Sequence, residues 1–350
     1  MKKYISVILA AAMILTCLSA CGKHVADNSS ELSFADVAGE KKLKIVTTIF
    51  PEYDWVKEIL GDHASRAEIT MLLDNGVDLH SYQTTTEDIM KISDCDLFIY
   101  VGGESDEWVE GVLREAVNKD MRVINLLDVL GDAAKEEEIV EGMEAEAHDH
   151  EHENEAHEHE HEDEAHDHEE DSAYDEHVWL SLKNAEILCS AIADTLAEID
   201  PDNADNYQAN AAAYHEKLAA LDSEYQTAVN ASAKKTVLFG DRFPFRYLMD
   251  DYGLSYYAAF AGCSAETEAS FETITFLAGK VDELGLHHVL TLEKSDQKIA
   301  QTIVQNTQSK DQQILALDSM QSTTSKDVSN GATYLSIMES NLGILKDVLE

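Results

Sequence analysis

The sequence predicts an α/β protein of two lobes, each a mainly parallel four-stranded sheet flanked by helices, joined by one long rigid helix. Three observations predict it. Short β-branched runs alternate with helical stretches in two blocks, over 43–127 and 236–348. Between them, Asp202–Ala228 contains no glycine or proline, and Tyr207, Ala211, Tyr214, Leu218, Leu221 and Tyr225 form one apolar stripe at steps of three and four. The chain has 350 residues, 44% of them hydrophobic, which is enough for two cores.

The amino terminus reads as an address. Lys2 and Lys3 precede the 14-residue apolar run Ile5–Leu18, too short for the ~20 helical residues that span a bilayer. The run ends in Leu18-Ser19-Ala20-Cys21, which resembles a bacterial lipobox. The expectation is a signal peptide over 1–20, lipidation at Cys21, and a polar Ser-rich tether over 21–42. Cys95, Cys189 and Cys263 remain, too widely spaced for a disulfide framework or a zinc knuckle. Cys95 and Cys189 fit core positions. Cys263, in the turn-like Gly262-Cys263-Ser264, is less easily placed there.

The first lobe, 43–200, begins with a strand at Leu43–Ile49 and a helix from Pro51, where proline is tolerated, to Gly61. Ala67–Leu73, Asp96–Val101 and Arg122–Leu127 complete the strands, with helices at Thr85–Ile92 and Glu107–Val117. The linking helix occupies 201–229; Asp202 can cap it, and 27 residues at ~1.5 Å each make a rod of about 40 Å. A rod in this position limits how far the lobes can open. The second lobe, 230–350, has strands at Thr236–Phe239, Ser255–Phe260, His288–Leu292 and Gln313–Leu317. Its helices fall near Phe245–Asp251, Phe271–Leu284, Gln297–Gln305 and Thr333–Val348.

Charge is concentrated rather than spread. The chain carries 25 Lys+Arg against 69 Asp+Glu, a formal charge of −44, and Glu136–Asp171 alone contributes −19. Such a balance excludes nucleic acid as a partner and attracts cations. Eight of the 15 histidines, His148, His150, His152, His157, His159, His161, His166 and His168, lie in a nine-residue repeat of alternating imidazole and carboxylate. With no apolar face, the loop 136–172 is expected to be disordered. Imidazole suits Zn, Cu and Ni, so the segment reads as an auxiliary metal collector; a solvated acidic linker or a pH sensor is the alternative. Without fixed geometry it cannot be the specific site.

Four residues could be. His80, in Gly76-Val77-Asp78-Leu79-His80, follows the second strand, and His177 lies in Asp175-Glu176-His177-Val178-Trp179-Leu180. Asp241 and Asp318 follow strands of the second block. Loops beyond the carboxyl ends of parallel strands converge on one cleft, so these two imidazoles and two carboxylates could share an ion: Zn²⁺, with Mn²⁺ or Fe²⁺ acceptable. His63, His215, His287 and His288 sit at helix ends, helix surfaces or strand starts.

These motifs, in this order, resemble those of the cluster A-I family, the metal-binding lipoproteins of ABC importers, and most closely the zinc-binding ZnuA/AdcA type. The similarity rests on the lipobox, the strand and helix over Ile45–Gly61, Gly-x-Asp-x-His at Gly76–His80, the strand region Asp94–Gly102, the His-rich loop and His-x-Trp-Leu at His177–Leu180, and it covers residues 43–350. It implies that His80 and His177 are the first two metal ligands and that Asp318 matches a carboxylate ligating in some members. The family's third histidine has no counterpart: aligned from the strand side its place is taken by Asp241, and aligned backwards from Tyr252-Gly253-Leu254 by Arg242, which cannot ligate a cation. Asp241 is therefore the expected third ligand. Alternatively Asp241 pairs with a cation such as Arg242 and the ligand lies elsewhere, with Cys263, Glu266, Glu268 and Glu293 in reserve.

The expected function is that of an extracytoplasmic, membrane-anchored, monomeric binding protein that captures zinc between its lobes and delivers it to an ABC permease with its ATPase. A manganese- or iron(II)-binding member of the same family is the alternative. Other classes are a passive surface zinc buffer or adhesin and a secreted zinc hydrolase. The hydrolase would need an open water position and a general base, and neither His-Glu-x-x-His nor a serine or cysteine nucleophile motif occurs. No enzyme activity is expected.

Overall fold

The structure is a computed structural model that describes residues 42–144, 173–264 and 268–350. The candidate lipidation site Cys21, the eight repeat histidines and Glu266 lie outside the described residues.

The first sheet comprises β1 (Leu43–Thr47), β2 (Ala67–Met71), β3 (Leu97–Tyr100) and β4 (Arg122–Asn125), all parallel, in the order β2-β1-β3-β4. Around it run α1 (Phe50–Leu60), α2 (Thr86–Ser93), α3 (Trp108–Glu115) and the short α4 (Leu126–Leu130). Next come α5 (Leu182–Ile199) and α6 (Ala204–Ala231). The second sheet repeats the pattern with β5 (Thr236–Phe243), β6 (Ser255–Ala261), β7 (His288–Leu292) and β8 (Gln313–Leu317), parallel in the order β6-β5-β7-β8. Its helices are α7 (Arg246–Tyr252), α8 (Phe271–Leu284), α9 (Lys298–Asn306), α10 (Ser325–Ser329) and α11 (Tyr334–Leu349). In both sheets the strand order reverses beside the first strand, and that edge is where ligands bind in open parallel sheets.

Two differences from the sequence expectation matter. The fourth strand stops at Asn125, whose side chain accepts from the Asp128 amide and starts α4, so Leu126 and Leu127 are helical. More consequentially, β5 does not end at Phe239. It continues through Gly240, Asp241 and Arg242 to Phe243, with a register shift against β6 between Phe239 and Arg242. Gly240 permits this path: a Cβ there would lie 2.6 Å from the Ala300 Cα of α9.

The long helix α6 runs 28 residues, about 42 Å. Its buried stripe is Tyr207, Ala211, Tyr214, Leu218, Leu221, Tyr225 and Val229. Asn210 Nδ2 donates to the Ile59 carbonyl of α1 (2.9 Å), and Tyr225 Oη donates to the Met338 carbonyl of α11 (2.6 Å). One contiguous core includes Trp55 and Phe98 of the first half, Leu218 of the rod, and Phe239 and Tyr247 of the second half. A smaller cluster, with Leu238, Phe260, Leu277 and Ile303, lies beneath α8 and α9. A shared core resists separation of the halves more strongly than a linker would, because opening would expose apolar surface.

Several carboxyls are buried at this junction. Asp54 accepts from the Tyr334 amide at the start of α11 (2.8 Å), yet burial lifts its pKa from 3.8 to about 6. The folded state then holds a proton that the unfolded chain has released, so stability falls as pH rises from about 4 to about 6. For Asp54 the change corresponds to about 3 kcal/mol at most. Asp54→Asn keeps an acceptor for Tyr334 and removes the ionisation. We expect it to stabilise the protein at pH 8 by about 1–3 kcal/mol and to leave it little changed at pH 4, as read by urea unfolding at both values.

Candidate metal centre

Each of the two loop histidines is set by an aspartate two residues earlier. Asp78 Oδ1 accepts from the His80 amide (3.0 Å), and Asp175 Oδ1 accepts from the His177 amide (2.9 Å). An aspartate side chain bonding its own backbone two residues on is a local turn device, so both imidazoles are aimed by the same short-range chemistry. Leu79, between Asp78 and His80, is buried and anchors the first loop.

The second loop is held more firmly. Val178, Trp179 and Leu180 are fully buried. Trp179 Nε1 donates to the Ser319 carbonyl (2.8 Å), and Tyr334 Oη donates to the Trp179 carbonyl (2.7 Å). Tyr247 Oη donates to the Asp175 carbonyl (2.9 Å), and Ser181 Oγ caps α5 by accepting from the Asn184 amide (3.0 Å). His177 is therefore placed by residues from β8–α10, α7 and α11, far away in sequence.

The rings meet. His80 Nε2 and His177 Nε2 are 3.1 Å apart; the His177 ring is fully buried and the His80 ring is mostly covered. His177 Nδ1 lies 2.9 Å from Asp175 Oδ1. A carboxylate only accepts, so Nδ1 carries a proton, and Nε2 is the nitrogen that faces His80. His80 Nδ1 lies 2.8 Å from Ser105 Oγ and 3.4 Å from Glu176 Oε2. Ser105 in turn donates its amide to Glu176 Oε1 (2.8 Å). Burial, then the neighbouring His177, hold the His80 pKa down to about 3, against the pull of Asp78, so its imidazole is neutral at physiological pH. Burial raises the Glu176 carboxyl, an effect moderated by Ser105.

The third group in reach is Cys263. Among the described residues, His80, His177 and Cys263 form a set whose donor atoms all lie within 4.8 Å of one another. Gly262 makes this approach possible, because a Cβ there would stand 3.0 Å from His177 Cε1 and 2.9 Å from the Phe243 carbonyl oxygen. The Cys263 amide donates to Glu137 Oε1 (3.1 Å). Burial, with Glu137 and Asp175 nearby, pushes the free thiol well up.

The two carboxylates expected from the sequence do not join this set. Asp241 lies within β5 rather than in a loop after it. Its Oδ2 accepts from Ser295 Oγ (2.5 Å) and the Leu292 amide (3.3 Å), and its Oδ1 from the Arg242 amide (2.9 Å). It ties β5 to the end of β7. Arg242, next along the strand, donates from Nη2 to Asp78 Oδ2 (2.7 Å), joining the His80 loop to the second sheet. Burial alone would raise the Asp78 carboxyl, but Arg242, with His80, holds it below the usual range. With its amide oriented to satisfy both ends, Gln321 also donates to Asp78 (3.2 and 3.0 Å) and sets its carbonyl oxygen 3.3 Å from His177 Nε2.

Asp318 follows β8 and accepts from the Met320 amide (2.8 Å). It is paired electrostatically with Glu293, whose pKa is raised to about 7 by burial and then by Asp318. Glu293 accepts from the Ser319 amide (2.8 Å) and the Ser319 hydroxyl (2.9 Å). Glu268 is exposed before α8. Sequence reasoning missed the supporting residues Ser105 and Gln321, which no local pattern marks; the Asp-x-His spacing at both histidines could have revealed Asp78 and Asp175.

The family model described as ZnuA, zinc-uptake complex component A, periplasmic, matches residues 45–348. The zinc-binding protein AdcA of Streptococcus pyogenes is 32% identical over 314 residues, covering 89% of this chain and 56% of that protein. The chain thus spans little more than half the length of these streptococcal relatives. The high-affinity zinc uptake system protein ZnuA of Bacillus subtilis is 31% identical over 348 residues, with 99% of this chain and 98% of that protein aligned. Among solved structures, the Zn(II)-bound ZnuA-like domain of Streptococcus pneumoniae AdcA superposes with a TM-score of 0.64 at 28% identity, covering 88% of this chain and 99% of that one. With a match over nearly all of both sheets and the helix between them, the chain belongs to the ZnuA family of periplasmic zinc-uptake components.

Proposed function

We propose that this protein is the extracytoplasmic capture component of a zinc importer: it takes one Zn²⁺ between His80 and His177 and hands it to an ABC permease driven by its ATPase. The observation that carries the proposal is the 3.1 Å approach of two Nε2 atoms from different loops, one on a fully buried ring and one on a mostly covered ring. Two Zn–N bonds of about 2.0–2.1 Å at a tetrahedral angle hold their nitrogens about 3.3 Å apart, so a small ion fits with little movement. Asp175 and Ser105, bonded to the opposite ring nitrogens, fix the orientation of both rings as outer partners of metal-bound imidazoles do. Imidazole donors favour Zn²⁺ over Mn²⁺.

The relatives are named as zinc-binding and zinc-uptake proteins, which supports capture over the hydrolase alternative. Asp318 and Glu293 stand as a half-buried acidic pair after β8 and β7, and Asp318 is the carboxylate candidate for a further ligand. Asp241, engaged with Ser295 and Leu292, is the weaker ligand candidate. In this proposal Cys21 carries the lipid anchor, the protein acts as a monomer, and the histidine repeat collects zinc loosely.

The test is a competition titration of chelator-stripped protein with Zn²⁺ and Mn²⁺, alongside a variant lacking residues 147–170. One tight zinc site should survive the deletion and should discriminate against Mn²⁺, while looser additional binding disappears. A deletion variant with no tight site would transfer the capture function to the repeat and overturn the proposal.

A further inference from the structure

We propose that Cys263 supplies the third protein ligand, as a thiolate, so that the metal is held by a two-histidine, one-cysteine set. This rests on the capture reading above and gives its chemistry. The donor atoms of His80, His177 and Cys263 lie within 4.8 Å of one another, and no other trio of metal-binding side chains does so among the described residues.

The alternatives on the second-sheet side of the two imidazoles are otherwise engaged. Arg242 is paired with Asp78 and stays protonated. Asp241 faces the other way, onto Ser295 and the Leu292 amide. The turn after β6, by contrast, is built for close approach. Gly262 sets its backbone against the His177 ring, where any side chain would collide, and the next residue presents its sulfur toward both imidazoles. A residue with no such role would not require a glycine jammed against a ligand ring.

The binding step balances simply. The Cys263 S–H bond breaks, a Zn–S bond of about 2.3 Å forms, and one proton leaves for solvent. Thiolate is also the softer donor, so this ligand set favours zinc, and cobalt as its probe, over manganese.

The experiment uses the full-length chain, stripped of metal and given one equivalent of Co²⁺. The His-rich repeat contains no sulfur, so it cannot contribute a sulfur-to-cobalt charge-transfer band. The expected result is such a band in the near ultraviolet, lost in Cys263→Ser and kept in Cys95→Ser. One proton should be released per Zn²⁺ at pH 7 in the parent protein, a measurement that needs no variant. Cys263→Ser should also narrow the preference for zinc over manganese by about tenfold or more. Tight zinc binding that is abolished by His80→Ala, yet gives no band and no proton release, would overturn the thiolate and leave the capture reading standing. Absence of any tight zinc site in the parent would overturn both.

Discussion

His177→Ala should abolish tight zinc binding, lowering affinity by well over the ~100-fold that marks the upper range for loss of an outer partner of a metal ligand. The imidazole is fully buried, its Nε2 stands 3.1 Å from that of His80, and its other nitrogen is fixed by Asp175. No neighbouring nitrogen donor can replace it among the described residues. Asp175→Asn provides the graded comparison: the ring stays in place but loses its charged partner, and affinity should fall by about 10–100-fold. Both values come from competition against a chromophoric chelator, with the loose sites of the histidine repeat fitted separately. If His177→Ala bound zinc within tenfold of the parent, His177 would not be a ligand.

Trp179→Ala should be the most destabilising single change near the site, by about 3–5 kcal/mol. The indole is fully buried between the halves, and Nε1 donates to the Ser319 carbonyl. Truncation leaves a cavity that the surrounding sheets and helices cannot fill, and it frees a buried carbonyl. Against a typical total stability of about 5–15 kcal/mol the loss is large. Trp179→Phe keeps most of the ring volume and loses only the N–H, so it should cost about 1–3 kcal/mol. Urea unfolding of the metal-free proteins separates the two. Because His177 lies two residues away with its ring 5.3 Å from the indole, zinc affinity should weaken in the same order. Equal stability of Trp179→Ala and the parent would mean that this loop is not the clamp between the halves.

The alternation of strands and helices was legible because each element announces itself locally: β-branched runs for the strands, and the tyrosine-leucine stripe of α6 for the rod. The helix emerges at Ala204–Ala231 against an expected 202–228, with all six stripe residues buried. The two histidines were legible too, His80 in the connection after β2 and His177 just ahead of α5, each two residues after an aspartate. The β5 region was not. Whether Asp241 and Arg242 lie in a loop or in a strand depends on how closely α9 approaches, which is set by Gly240 against Ala300, a contact 60 residues apart in sequence. One residue of extra strand turns a side chain to the opposite face. Asp241 consequently meets β7 while Arg242 meets Asp78. Cys263 was legible as a cysteine in an unusual turn and as a reserve ligand, but not as a neighbour of the two imidazoles.

What the sequence by itself determined is the class of the molecule and its affinity for cations: two parallel sheets, a rod between them, and imidazoles set two residues after aspartates in loops. These follow from periodicity, turn chemistry and charge, all of which act over a few residues. What only the tertiary structure decided is which donors share one point in space. His80, His177 and Cys263 are separated by 97 and 86 residues of chain, and they converge because β-register, the Gly262 contact and the buried Trp179 clamp fix three loops to one another. Distances of that kind are set by packing between elements, and packing is not a local property of the chain.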